Sequence, residues 1–259
     1  MKLSSWKSDD HGRADYNGAP WSFRHALSHG QPVIFPRWGL VDVGITLVVT
    51  LVITLVFTVA QIAFHIDPMN GWGLIGSATA QWLGLVGWPI IAARRKGNGA
   101  RIDYGLVAFR EQIRFAVLAG VLSLLAAGLV ASVLTQFTGP IQSVAGDLAL
   151  KQSGIPMVFF ALMIVFGAPI VEEIAFRGLL FGALCKAGVA PIATVFITAA
   201  AFAGFHFEAQ RFPVLFAIGL LLGEVRRRTG STLASIVTHM VNNAPGAIAI
   251  LLAPFTSLW

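Results

Sequence analysis

The chain is expected to be an all-α, polytopic membrane protein of about seven transmembrane helices. Three observations predict this. Of its 259 residues, 56% are hydrophobic and only 12% are charged, whereas soluble domains carry about 25% charged residues. The mean hydropathy is +0.76. The apolar residues fall in runs long enough to cross a hydrocarbon core about 30 Å thick.

The formal charge of +6 and pI near 10.1 would suit nucleic acid. The basic residues cluster beside apolar runs, however, as the positive-inside pattern requires. The expected partner is therefore the lipid bilayer, with no nucleic acid. The single cysteine, Cys185, excludes an intrachain disulfide and a four-cysteine metal site.

Residues 1–37 are polar and mixed in charge, without the apolar core and small-residue cleavage site of a signal peptide. They are expected to form a loosely ordered cytoplasmic tail, with Trp21, Phe23 and Trp38 at the membrane interface. His11, His25 and His29 are irregularly spaced and are read as solvated. Residues 38–150 are expected to hold the first three spans: about Leu40 to Phe64, Leu74 to Ala93 and Phe115 to Phe137. The second ends at Arg94-Arg95-Lys96, and Arg110 and Arg114 precede the third. Residues 151–259 hold the rest: a fourth span from about Pro156 to Lys186, and a fifth from Pro191 to Gly204-Phe205-His206. A sixth runs from Arg211–Pro213 to Arg226-Arg227-Arg228, and a seventh from Ser231 to Leu252. Seven spans put all the basic loops on one side, which predicts a multi-pass protein of the cell membrane, N-terminus cytoplasmic and Trp259 outside. Gly178/Gly182 and Gly219/Gly223 have the small-xxx-small spacing of closely packed membrane helices.

Within the fourth span lies Glu172-Glu173-Ile174-Ala175-Phe176-Arg177. A charge at the bilayer centre costs roughly 2.5–3.5 kcal/mol or more, so such residues are candidate functional groups. Glu173 and Arg177 are four apart on one helical face and are expected to pair. Glu172 points about 100° away and remains the freer carboxylate, as a general base requires. Taken alone, this stretch is equally a structural ion pair between helices. Two later helices add polar groups: Phe202 and His206 share one face, as do His239 and Asn243, while Asn242 points elsewhere. At about 1.5 Å per residue, Glu172, His206 and Asn243 lie at a common depth, with His239 shallower. Pro169 and Pro245 each remove a backbone hydrogen bond near that level. Exposed backbone at such depth implies a cavity admitting water.

The zinc, serine and aspartyl signatures known from intramembrane proteases do not occur. His206-Phe207-Glu208 is not a His-Glu-x-x-His zinc motif, no Gly-x-Ser-Gly is present, and Ala145-Gly146-Asp147 lacks the first glycine of Gly-x-Gly-Asp.

In order and spacing, Glu172-Glu173-x-x-x-Arg177, Phe202-x-x-x-His206 and His239-x-x-x-Asn243 resemble the CPBP family. These are the CAAX proteases and bacteriocin-processing (Abi) proteins, which include the prenyl-protein endopeptidase Rce1. The resemblance covers about Pro156 to Leu252, and residues 151–259 are identified with the catalytic transmembrane domain. It implies an intramembrane endopeptidase acting on a peptide or prenylated protein. Glu172 and His206 would activate the attacking water, and His239 and Asn243 would steady the oxyanion. Glu173 and Arg177 would support the site or touch substrate. As a metalloprotease, the chain would hold zinc through His206, His239 and Glu172 with an open water position. The metal-free arrangement of base and oxyanion donors is preferred. The alternatives are a non-catalytic scaffold or bacteriocin-immunity protein of the same family, and a small proton-relaying transporter. A transporter should show repeat symmetry, and none is visible.

Overall fold

A computed structural model describes residues 7–8, 14–141 and 143–256. The chain is an all-α, polytopic membrane protein. Two short strands, Lys7–Ser8 and Ala14–Asp15, pair antiparallel ahead of ten helices. These are α1 (Trp21–Ser28), α2 (Leu40–Ala63), α3 (Gly71–Lys96), α4 (Ala100–Asp103), α5 (Arg110–Thr138) and α6 (Val144–Leu150). A continuous 33-residue helix follows, α7 (Gly154–Lys186), then α8 (Pro191–Phe205), α9 (Phe212–Thr229) and α10 (Thr232–Thr256).

Five helices among the described residues are long and apolar enough to cross a membrane: α2, α3, α5, α7 and α10 over Thr232–Ala253. The fifth and sixth expected spans exist as α8 and α9 but fall short in different ways. α8 has 15 residues, or about 22 Å at 1.5 Å each. α9 has 18, but its last turns hold Glu224 and Arg226, Arg227 and Arg228. The two form a hairpin whose close approach rests on small residues. A Cβ added at Gly219 would stand 2.9 Å from Ala199 Cα, and one at Gly223 would stand 3.1 Å from Val195 Cγ1. Gly178 and Gly182 likewise admit the rings of Tyr104 and Trp38.

The basic segments gather at one end of the bundle. There, Lys96 Nζ meets Asp42 Oδ1 at 2.7 Å, and Lys186 Nζ donates to the carbonyls of Pro36 and Trp38. Gln112 Nε2 donates to Thr229 O at 2.9 Å, and Thr232 N to Gly105 O at 2.9 Å. Asp103 accepts from Trp38 Nε1 and from the backbone and side chain of Asn98. Burial nonetheless pushes its carboxyl above the usual carboxylate range.

Residues 15–37 correct the expectation of a loose tail. Tyr16, Ala19, Phe23, Ala26 and Leu27 are buried, Trp21 N donates to Gly230 O at 2.9 Å, and Ser22 Oγ to Ile102 O at 2.7 Å. Gly230 caps α9 in the left-handed conformation (φ 65°) that glycine adopts without strain, which turns its carbonyl towards the N-terminal segment. Phe23 and Trp38 are core residues at 1% exposure, not interfacial anchors. Among the histidines, His25 and His29 stack at 4.0 Å between ring centroids, and His11 lies outside the described residues.

Candidate active site

The carboxylate-bearing helix α7 is irregular on both sides of its glutamates. Residues Met163–Gly167 and Ile174–Leu180 form π-helical turns around an α-helical segment, Ala168–Glu173. Proline explains the first. Ala168 N donates five residues back to Met163 O. The next donor in that register would be residue 169, which as proline has no N–H. The carbonyl of Ile164 is thereby left for another helix, and Asn243 Nδ2 on α10 donates to it at 3.0 Å. π-Bulges recur at functional sites because they open the backbone in this way.

One step along α7 separates the glutamates into two environments. Glu173 is fully buried. Its Oε1 accepts from Arg177 Nη1 at 2.8 Å, as the spacing predicts, and also from His239 Nδ1 at 3.1 Å. Arg177 is equally buried, reaches Gly219 O on α9 through Nη2 at 2.9 Å, and lies 4.8 Å from the Phe202 ring centroid. Glu172 turns instead into a cavity of about 540 Å³, which His206, His239 and Asn243 also line. Three helices bring these four side chains to one space, with Glu173 and Arg177 behind it.

The hydrogen bonds assign the histidine nitrogens. His206 Nδ1 lies 2.8 Å from Phe202 O. A carbonyl only accepts, so Nδ1 carries the proton and Nε2 is left as the basic nitrogen. His239 Nδ1–H points at the Glu173 carboxylate, which directs Nε2 towards Glu172 Oε2 at 4.0 Å. Phe202 packs edge-on against both imidazoles, with ring centroids 4.8 and 5.6 Å away.

Two features of the cavity were missed in the sequence. Asn242 was expected to point elsewhere, yet it lines the cavity. Its Oδ1 accepts from Ser123 Oγ on α5 at 2.9 Å, and its Nδ2 donates to Asn243 Oδ1 at 3.2 Å. A helix this close to its neighbours presents polar groups over more than one face. Three other lining residues form the second feature: Arg211 Nη1 bonds Glu208 Oε2 at 2.5 Å and Ser143 Oγ at 3.0 Å. The i, i+3 spacing of Glu208 and Arg211, just after His206, was the available signal.

For zinc, the fit is partial. Glu172 and His239 face each other, but among the described residues no three His, Cys, Asp or Glu side chains are grouped to hold a metal ion.

The fold and this site define a polytopic membrane protein with a cavity inside its helix bundle into which polar side chains project. Residues 154–245 match the family described as Type II CAAX prenyl endopeptidase Rce1-like, and over that segment the chain is similar to it. No curated protein and no solved structure matches the chain.

Proposed function

We propose that the cavity hydrolyses a peptide bond with water activated by Glu172 and His206. The observation that carries this reading is the convergence of Glu172, His206, His239 and Asn243 on one space within the family segment. Glu172 takes the proton of the attacking water, assisted by the unprotonated Nε2 of His206. In its doubly protonated form His239 donates from Nδ1 to Glu173 and from Nε2 into the cavity. Asn243 has one amide N–H committed to Ile164 O and the other available. Both then face the developing oxyanion, where pre-aimed donors are most effective. The proton taken from water passes to the leaving amine. Apolar walls, among them Trp82, Phe160 and Leu215, receive the side chains flanking the scissile bond.

In this reading residues 151–259 form the catalytic domain and residues 38–150 complete its walls, through Trp82 on α3 and the α5–α6 connection. The test is cleavage of a quenched fluorescent peptide by purified protein, with and without a chelator. Chelator-resistant cleavage is expected, and cleavage lost with chelator and restored by zinc would replace the metal-free assignment.

The role of Pro169 gives a further expectation. Pro169→Ala restores an N–H beneath Ile164 O and releases the amide of Asn243. Turnover should fall about tenfold or more, since small misplacements of catalytic groups cost up to about 10²-fold. The melting temperature should hold or rise, because proline inside a helix costs about 3 kcal/mol. Unchanged turnover would mean that Asn243 is oriented without the π-turn.

A further inference from the structure

A second cavity, of about 510 Å³, lies at the basic end and shares no lining residue with the Glu172 cavity. Three spans terminate in its wall: Leu40 is the first residue of α2, Lys96 the last of α3 and Lys186 the last of α7. It therefore sits at the level where hydrocarbon gives way to headgroups. The segment 35–39, which leads into α2, supplies much of the rest.

Its charges do not balance. Arg37, Lys96 and Lys186 line it beside one carboxylate, Asp42. Asp42 is buried and both its oxygens are taken. Oδ1 accepts from Lys96 Nζ at 2.7 Å and Trp88 Nε1 at 3.1 Å, and Oδ2 from Gly39 N at 3.0 Å. Lys186 Nζ donates to the carbonyls of Pro36 and Trp38 and lies 3.5 Å from the Trp38 ring centroid. These neutral groups orient the ammonium without cancelling its charge, and one of its three donors is left over. Arg37 is exposed, and its guanidinium has no ion pair or hydrogen bond among the described residues. Its backbone is nonetheless tethered beside Lys96, with Arg37 N donating to Lys96 O at 2.7 Å.

An apolar track leaves this pocket along α2. Val41 lines the pocket, and Val48 and Val52 follow on about the same helical face, each more than half exposed. From Val41 to Val52 the rise is about 16 Å, one leaflet of a hydrocarbon core about 30 Å thick. A free phosphate would meet the cations and leave the track bare, whereas a phospholipid covers both.

From this juxtaposition we infer that the pocket is a binding site for an anionic phospholipid. Its phosphate oxygens accept from Lys186 Nζ and from the planar fork of Arg37, a geometry suited to phosphate, and an acyl chain lies along Val41, Val48 and Val52. Basic pockets between membrane helices hold anionic headgroups on the same principle. A phosphatidylcholine headgroup brings its own cation and gains less from the unmatched charges.

Native mass spectrometry of the full-length protein tests this, with phosphatidylglycerol or phosphatidylcholine added to a neutral detergent. The wild type should retain one phosphatidylglycerol in preference to phosphatidylcholine. Arg37→Gln should cut that preference about fivefold, the effect of one basic residue at an anionic surface. Because the Arg37 side chain is exposed and unpaired, its replacement leaves the fold intact. Arg95→Gln removes an exposed cation of the same end that does not line the pocket, and should leave the preference unchanged. Equal retention of the two lipids by the wild type, an undiminished preference in Arg37→Gln, or an equal drop in Arg95→Gln overturns the site. Thermal melts separate lipid from free phosphate. In phosphatidylcholine micelles the melting temperature should rise with added phosphatidylglycerol and not with inorganic phosphate. An equal rise with inorganic phosphate would retire the lipid in favour of a free anion.

Discussion

Glu172→Ala should abolish most peptide cleavage while leaving the melting temperature of the purified protein unchanged. The side chain lines the cavity and is 16% exposed, and its ionic neighbour, His239 Nε2, stands 4.0 Å away. It therefore holds little of the fold together. His206→Ala should behave similarly. Its ring is fixed by one hydrogen bond to Phe202 O within its own helix segment, so removing it disconnects no other element. A positioned acid or base typically contributes about 10²–10⁴-fold. Because both groups act on one water, the double variant should be little worse than either single one, as residues working as a unit are strongly non-additive. Initial rates on a quenched peptide, beside thermal melts in detergent, check both parts. Fully active Glu172→Ala protein would end this mechanism and favour a scaffold that keeps the polar cluster for packing.

How much of this was legible in the sequence follows from which interactions are local. Glu173 and Arg177 pair because four residues bring side chains onto one face, a relation that needs no knowledge of other helices. An expected common depth for Glu172, His206 and Asn243 needed helix lengths alone, and the three line one cavity. The contact between His239 and Glu173 is a different kind of fact, because it joins residues 66 positions apart and depends on how α10 is rotated against α7. The first π-turn was hidden for a related reason. Pro169 announced a backbone defect, but the donor that meets Ile164 O belongs to Asn243, 79 positions away on another helix. The N-terminal segment misled through composition: Tyr16, Phe23 and Leu27 are sparse among polar residues, yet they meet in one cluster with Phe181, Cys185 and Val195. The contact of Ser143 with Arg211 was overlooked because both lie in connections, where no helical period links them.

Arg177→Ala should destabilise the protein severely and reduce activity as a consequence. Both partners of the ion pair are wholly buried, and removing one partner of a buried pair typically costs about 3–5 kcal/mol because the other charge is stranded. The bond from Nη2 to Gly219 O, which joins α7 to α9, is lost as well. Arg177→Lys should fall between the two. It keeps the charge, but one ammonium lacks the planar fork that serves Glu173 and Gly219 together. The double variant Glu173→Gln/Arg177→Met removes both charges and should recover much of the melting temperature, since neutral, well-packed replacements of buried pairs are often tolerated. Its activity should stay low, because His239 Nδ1 then faces a neutral amide oxygen in place of a carboxylate, which weakens the hydrogen bond that aims the ring. Folded yield and melting temperature for the three variants, set against initial cleavage rates, separate structural support from chemistry. If Arg177→Ala accumulates and melts like the wild type yet is inactive, Arg177 is not holding the fold. The guanidinium would then have to leave Glu173 and reach the substrate.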